Sequence, residues 1–182
     1  MMATMIGDPL RPLLDAAREG DDVAVRRLVR ETQPMVWRVC TALGSAGEED
    51  DLVQETYLRA LRSLGQYRGD APVLPWLLSI ARNVCADHVR RRVRQRRLVD
   101  RLTMHAPDPV GGHVATGGAA ALGDLVDQLT PDRREAFVLT QIVGLSYEEA
   151  ADTIGCPIGT IRSRVARARG DLIAAVRLAD AQ

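Results

Sequence analysis

Four arginines, Arg162, Arg164, Arg167 and Arg169, stand between Ile158 and Gly170 with no acidic residue among them. Guanidinium groups grip phosphate oxygens and pair bidentately with guanine O6 and N7, so such a run on a helix suits duplex nucleic acid. A second run, Arg90 to Arg97, holds six arginines in eight residues, more than helix-end capping needs. The opposite charge gathers in Glu48, Glu49, Asp50, Asp51 and Glu55, with no base between residues 44 and 56. Glu48, Asp50, Asp51 and Glu55 have the donor chemistry of a Mg2+ or Mn2+ enzyme site. Against that, nothing else offers a catalytic base or a phosphate-cradling loop, and acids at a helix start also complement its dipole. Cys85 and His88 lie one helical turn apart, as zinc ligands would, but no second pair stands at ligand spacing, which favours two helix-core residues.

The elements that position the Ile158–Gly170 arginines are legible. Ser146 and Glu149 have the spacing of a capping box, which starts a helix near Tyr147. Gly155 suits the left-handed residue that ends it, and Pro157 fits the first turn of the next. In that second helix Ile161, Val165, Ala168 and Leu172 recur at helical spacing and face inward. Thr160, Arg162, Ser163, Ala166 and Arg167 face outward. Two helices on a tight glycine-containing turn, the second presenting polar groups, form the helix-turn-helix pattern for a major groove; the plainer alternative is a solvated arginine face.

Composition agrees with an all-α fold. Of 182 residues 46% are hydrophobic but only 3% aromatic, so the core is aliphatic and alanine-rich. Net charge is zero and all 24 basic residues are arginine, as in proteins of GC-rich genomes; distribution therefore carries more information than the sum. Residues 82 to 101 hold eight Arg against two Asp, and this basic patch and the acidic one at 44 to 56 point to two different partners. No apolar run is long enough to span a bilayer and no signal-peptide pattern opens the chain, which implies a cytoplasmic protein. Cys40, Cys85 and Cys156 are odd in number and far apart, which argues against a disulfide framework.

Along the chain, residues 10 to 43 read as helical, with Gly20 and Asp21 separating two helices and Pro34 near the start of a third. A helix over Glu48–Leu64 follows, then a loop from Gln66 to Pro75, then a long helix with Leu77, Ile80, Ala81, Val84 and His88 on one face. Residues 99 to 121 lose periodicity and gain Pro and Gly, the composition of a linker. Order resumes at Leu122, and Thr130-Pro131-Asp132 reads as a helix start with Thr as cap. The expected organisation is a helical domain over 10–98, a flexible linker over 99–121 and a smaller helical domain over 122–178, with no internal repeat.

Four pieces, DLVQETYLRA from Asp51, YRGDAPVLPWLLSIARNVCADHVRR from Tyr67, LTPDRREAFVLTQIVGLSYEEAA from Leu129 and CPIGTIRSRVARAR from Cys156, stand in the order found in one family. Over nearly its whole length the sequence resembles the extracytoplasmic-function (ECF) class of bacterial RNA polymerase sigma factors. The resemblance implies sigma domain two and sigma domain four joined by a linker that threads toward the RNA exit path. Such a factor is not an enzyme, needs no cofactor, and has as partners core RNA polymerase, through its clamp helices and flap, and promoter DNA; many relatives also have an anti-sigma factor.

By the same resemblance Asp51, Gln54 and Glu55 match the helix that docks on the clamp. Tyr67 to Pro75 match the loop that captures a base flipped from the minus-10 element, with Tyr67 and Val73 in it, Asn83 placed to hydrogen-bond a base and Arg90 and Arg91 to hold phosphates. Pro72-Val73-Leu74-Pro75 departs from the more polar, aromatic-containing run of relatives, and Trp76 matches a packing position at the helix start, the alternative being stacking on a base. Thr160, Arg162, Ser163 and Arg167 coincide with the minus-35 readers, and Ala166 replaces a bulkier residue. The competing function is a stand-alone helix-turn-helix regulator, which requires a palindromic site and a dimer interface that the sequence does not display.

Overall fold

A computed structural model describes residues 8–103 and 118–180. Every regular element among them is helical: α1 Arg11–Arg18, α2 Asp22–Leu43, α3 Glu49–Ser63, α4 Val73–Thr103, α5 Gly118–Asp127, α6 Pro131–Phe137, α7 Tyr147–Ile154 and α8 Ile158–Asp180. A 3-10 turn, Leu64–Gln66, follows α3, and a π-helical segment, Val138–Ile142, extends α6. The helical backbone runs further at both sides of the expected linker than periodicity suggests; the rest of that linker lies outside the described residues.

In the first half α2, α3 and α4 pack together around Val36, Val39, Cys40, Leu52, Leu78 and Cys85. Asp21 starts α2 by accepting from the amides of Val23 (2.7 Å) and Ala24 (3.2 Å). Helix α2 runs unbroken through Pro34, where the sequence suggested a new helix. Proline removes one backbone donor, but Thr32 on one side and Val36, Val39 and Cys40 on the other are fully buried, and this anchoring holds the helical path. Tyr57 of α3 reaches α2 with its hydroxyl 2.8 Å from Thr32 Oγ1, and burial pushes that phenol up to about 12.

Helix α4 begins three residues earlier than the proline pattern suggests. Pro75 falls in its first turn, where backbone N–H groups have no intrahelical partner, so the ring costs no hydrogen bond. The Val73 amide is satisfied instead by Asp8 Oδ2 at 2.6 Å. A second cluster, Leu10, Leu14, Ala17, Ala24, Leu28, Leu64, Tyr67 and Val73, seats α1 against α2 and the loop before α4.

In the second half the capping box is present: Ser146 Oγ accepts from the Glu149 amide (3.1 Å) and Glu149 Oε2 from the Ser146 amide (2.8 Å). Gly155 ends α7 at φ +77°. Thr130 stands at the cap position of α6, yet its hydroxyl makes no capping bond. Ile161, Val165 and Ala168 of α8 are buried as their spacing requires, while Leu172 is only half-buried. Both halves share one core: α4 packs on α7, α2 on the π segment, and Arg82 pairs with Glu135 across the junction.

Candidate nucleic-acid and polymerase interfaces

Helix α8 divides its arginines. Arg164 Nη2 lies 2.6 Å from Asp132 Oδ2 of α6, and Arg169 donates to Gln141 Oε1 of the π segment at 2.6 Å. Both act as struts to the supporting helices. Arg162 and Arg167 are exposed and carry no ion pair or side-chain hydrogen bond among the described residues. Ser163 is exposed beside them, its hydroxyl donating to Thr160 O (2.9 Å), and Thr160 is half-buried. The uncommitted face of α8 is the one whose side chains point away from α6 and α7.

On α3, Asp51 and Gln54 are exposed and Glu55 is half-buried, its Oε1 2.7 Å from Arg59 Nε. Glu48, at the start of that helix, is drawn into the protein by Arg92 (2.9 Å), with its other carboxylate oxygen 2.7 Å from His88 Nε2. The acidic run is therefore split between a face directed outward and a carboxylate spent on α4. No group of three His, Cys, Asp or Glu suited to a metal ion occurs among the described residues. Cys85 is buried against Cys40 and all three cysteines are free thiols; the hydrogen bond with Cys40 and then burial push the Cys85 thiol up.

The loop before α4 is held from within. Tyr67 and Val73 are turned inward, with the Tyr67 hydroxyl donating to Ala71 O (2.6 Å) and its ring 5.1 Å from that of Trp76. Arg68, Gly69, Asp70 and Pro72 are its exposed members. The family resemblance singled out Tyr67 and Val73, which face inward, and not Arg68 and Asp70, which face outward; the polarity of RGD between two apolar positions is the sequence signal for that difference. Asn83 is exposed on α4 and accepts from Arg82 (3.3 Å). Arg90 is exposed but paired with Asp87 (2.7 Å), whereas Arg91 is exposed and has no ion pair among the described residues. Between α4 and α6 lies a cleft of about 740 Å3, with Val89 and Val93 in its wall and Arg90, Arg92, Arg96 and Arg134 around it.

Two family models match the chain, Sigma-70 region 2 over residues 28–95 and Sigma-70 region 4 over 119–172. The ECF RNA polymerase sigma factor SigC of Mycobacterium tuberculosis is 44% identical over 167 residues, covering 87% of this chain and 86% of the relative. The ECF RNA polymerase sigma-E factor of Haemophilus influenzae is 32% identical over 180 residues, covering 92% and 94%. Among solved structures, CnrH in complex with the cytosolic domain of CnrY superposes with a TM-score of 0.72 at 28% identity, covering 92% of this chain and 97% of that one. Sigma factor RpoE of Bartonella quintana, bound to the anti-sigma factor NepR, gives 0.69 at 27% identity, covering 84% and 95%. The helical fold, the paired sigma regions and these relatives lead to one conclusion: the chain belongs to the ECF class of sigma factors, the initiation subunits that bind core RNA polymerase and direct it to promoters.

Proposed function

We propose that this sigma factor grips its promoters at two points and docks on polymerase through a third surface. Arg162 and Arg167, with Thr160 and Ser163, read the minus-35 element in the major groove. Asn83, Arg90 and Arg91 lie along the minus-10 strand, and the loop 67–72 takes up a flipped base, with Arg68 and Asp70 at its exposed edge and Tyr67 and Val73 as its inner frame. Asp51, Gln54 and Glu55 meet the clamp helices of the polymerase. The domain of residues 10–98 serves docking and melting, and that of 122–178 serves minus-35 recognition. No covalent chemistry is required, because strand opening is driven by binding.

The observation that carries this reading is the partition of α8, in which two arginines brace the helix and two remain uncommitted on its outer face. CnrH and RpoE were each solved with a protein bound to them, and an inhibitor of that kind is a further partner here. The cleft beside Val89 and Val93 suits the apolar face of an amphipathic segment. No helix among the described residues is long and apolar enough to cross a membrane; the cytoplasm, where promoter and polymerase meet, is the proposed compartment.

The test is transcription in vitro by core polymerase plus the purified protein on fragmented genomic DNA, with the transcripts sequenced. Initiation from a shared pair of promoter elements is expected. Absence of any protein-dependent start, or core binding unchanged when Asp51, Gln54 and Glu55 all become alanine, would refute it.

A further inference from the structure

The loop proposed to capture a base is held by a segment about 60 residues away in sequence. The carboxylate of Asp8 spans two elements, Oδ1 accepting from the Leu10 amide at 3.0 Å and Oδ2 from the Val73 amide at 2.6 Å. Val73 is fully buried, so no water replaces that acceptor at the first turn of α4. Arg11, steered by Asp15 (2.9 Å), lays its guanidinium over the Tyr67 ring, 5.3 Å from the centroid. Gly69 stands at φ +81°, and a Cβ there would meet Arg11 Nη1 at 2.5 Å, so the Arg11 guanidinium lies beside the turn of the loop as well as over Tyr67. Leu10 and Leu14 complete the apolar seat beneath Tyr67 and Val73.

We infer that Asp8–Arg18 is a clasp that presets the loop 67–72, with Asp8 as its positioning residue. This rests on the reading of the loop given above. A flipped base must be repaid for lost stacking, and a loop that orders only on contact subtracts its ordering entropy from that return. Asp8 and Arg11 place this cost in folding rather than in promoter binding. They hold the inner side of the loop through Val73, Tyr67 and Gly69 and leave Arg68 and Asp70 directed outward. The effect is preorganisation, so neither residue has to touch DNA.

The experiment uses the full chain reconstituted with core polymerase. Its probe is a fluorescent single-stranded oligonucleotide carrying the non-template minus-10 region of a promoter on which the wild-type protein initiates. Asp8→Ala is expected to weaken oligonucleotide binding about fivefold to twentyfold, the scale of lost preorganisation, with core polymerase affinity unchanged. Asp8→Asn, whose amide oxygen still accepts from the Val73 N–H, is expected to fall between Asp8→Ala and wild type. Leu14→Ala loosens the same cluster without removing a polar contact to the loop, and is expected to lower Tm with little loss of oligonucleotide affinity. Wild-type affinity in Asp8→Ala would overturn the clasp alone, as would an equal loss in Leu14→Ala at matched folded fraction. If the wild-type holoenzyme itself does not bind the oligonucleotide, the base-capture reading falls and the clasp with it. Should Asp8→Ala fail to fold, the comparison of Asp8→Asn with wild type decides.

Discussion

Arg59 Nη1 of α3 lies 3.0 Å from Asp87 Oδ2 of α4, joining the helix proposed to face polymerase to the helix proposed to face the promoter. The same guanidinium holds Glu55 at 2.7 Å, and Asp87 also holds Arg90 at 2.7 Å. Glu55, Arg59, Asp87 and Arg90 thus form one chain of alternating charge. The bonds to Glu55 and Asp87 hold the Arg59 pKa above its usual value, and those to Arg90 and Arg59 hold the Asp87 carboxyl below the usual carboxylate range. The two proposed surfaces are thus joined by a continuous run of ion pairs.

Replacing Arg59 with alanine should release Glu55 from its fixed rotamer and leave Asp87 to Arg90 alone. Core polymerase affinity is expected to fall about threefold to tenfold, the order of ~0.5–1.5 kcal/mol for immobilising one such side chain. Titration of labelled protein with core polymerase measures it, and an unchanged affinity would separate Arg59 from docking.

Asp87 sets a pH dependence whose sign follows from its depressed pKa. Its contribution to stability is present above the ordinary carboxyl value of 3.8 and is lost as pH falls through the lower folded value. Thermal melts from pH 7 to 5 should therefore show no Asp87-dependent slope, and the gap between Asp87→Asn and the wild type should close only in melts taken below the ordinary carboxyl value. An Asp87-dependent loss of stability already at pH 6 would contradict this.

The two classes of arginine on α8 should part experimentally. Arg162→Ala and Arg167→Ala are expected to cost about 1–3 kcal/mol each in binding to a minus-35 promoter if they read bases, with Tm and core binding unchanged. Arg164→Ala removes a half-buried strut and Arg169→Ala an exposed one, and each should cost stability by only about 0.2–1 kcal/mol. Electrophoretic shifts with holoenzyme, paired with melts of the free protein, make the comparison.

Packing beneath that face is the larger stability element. Ile161 is fully buried, and Ile161→Ala should destabilise by about 2–5 kcal/mol. Ser146→Ala, which removes one half of the capping box, should cost about 0.5–2 kcal/mol. Denaturant unfolding ranks the two, and a smaller effect at Ile161 than at Ser146 would show that α8 does not depend on its apolar stripe.

Much of the second half was legible because its determinants are local. Ser146 and Glu149, Gly155, and the stripe Ile161–Val165–Ala168 act within a few residues of themselves, so spacing alone specifies the cap, the turn and the buried face. Pro34 misled for the same reason: a proline reads as a helix start when its neighbours' burial is unknown, and only the packing of Thr32 and Val36 carries α2 through it. The start of α4 is hidden in sequence, since the acceptor for the Val73 amide comes from Asp8.

Sequence by itself determined the helical periodicities, the two sites of basic charge and the family. Tertiary structure decided which charges are free to act. Arg162 and Arg164 share one helix and one side-chain chemistry, yet Asp132 reaches only Arg164, and Asp51 and Glu48 share one acidic run, yet Arg92 claims Glu48. Pairing of charges depends on distances of a few ångströms between residues far apart in the chain, and those distances arise only when the helices pack.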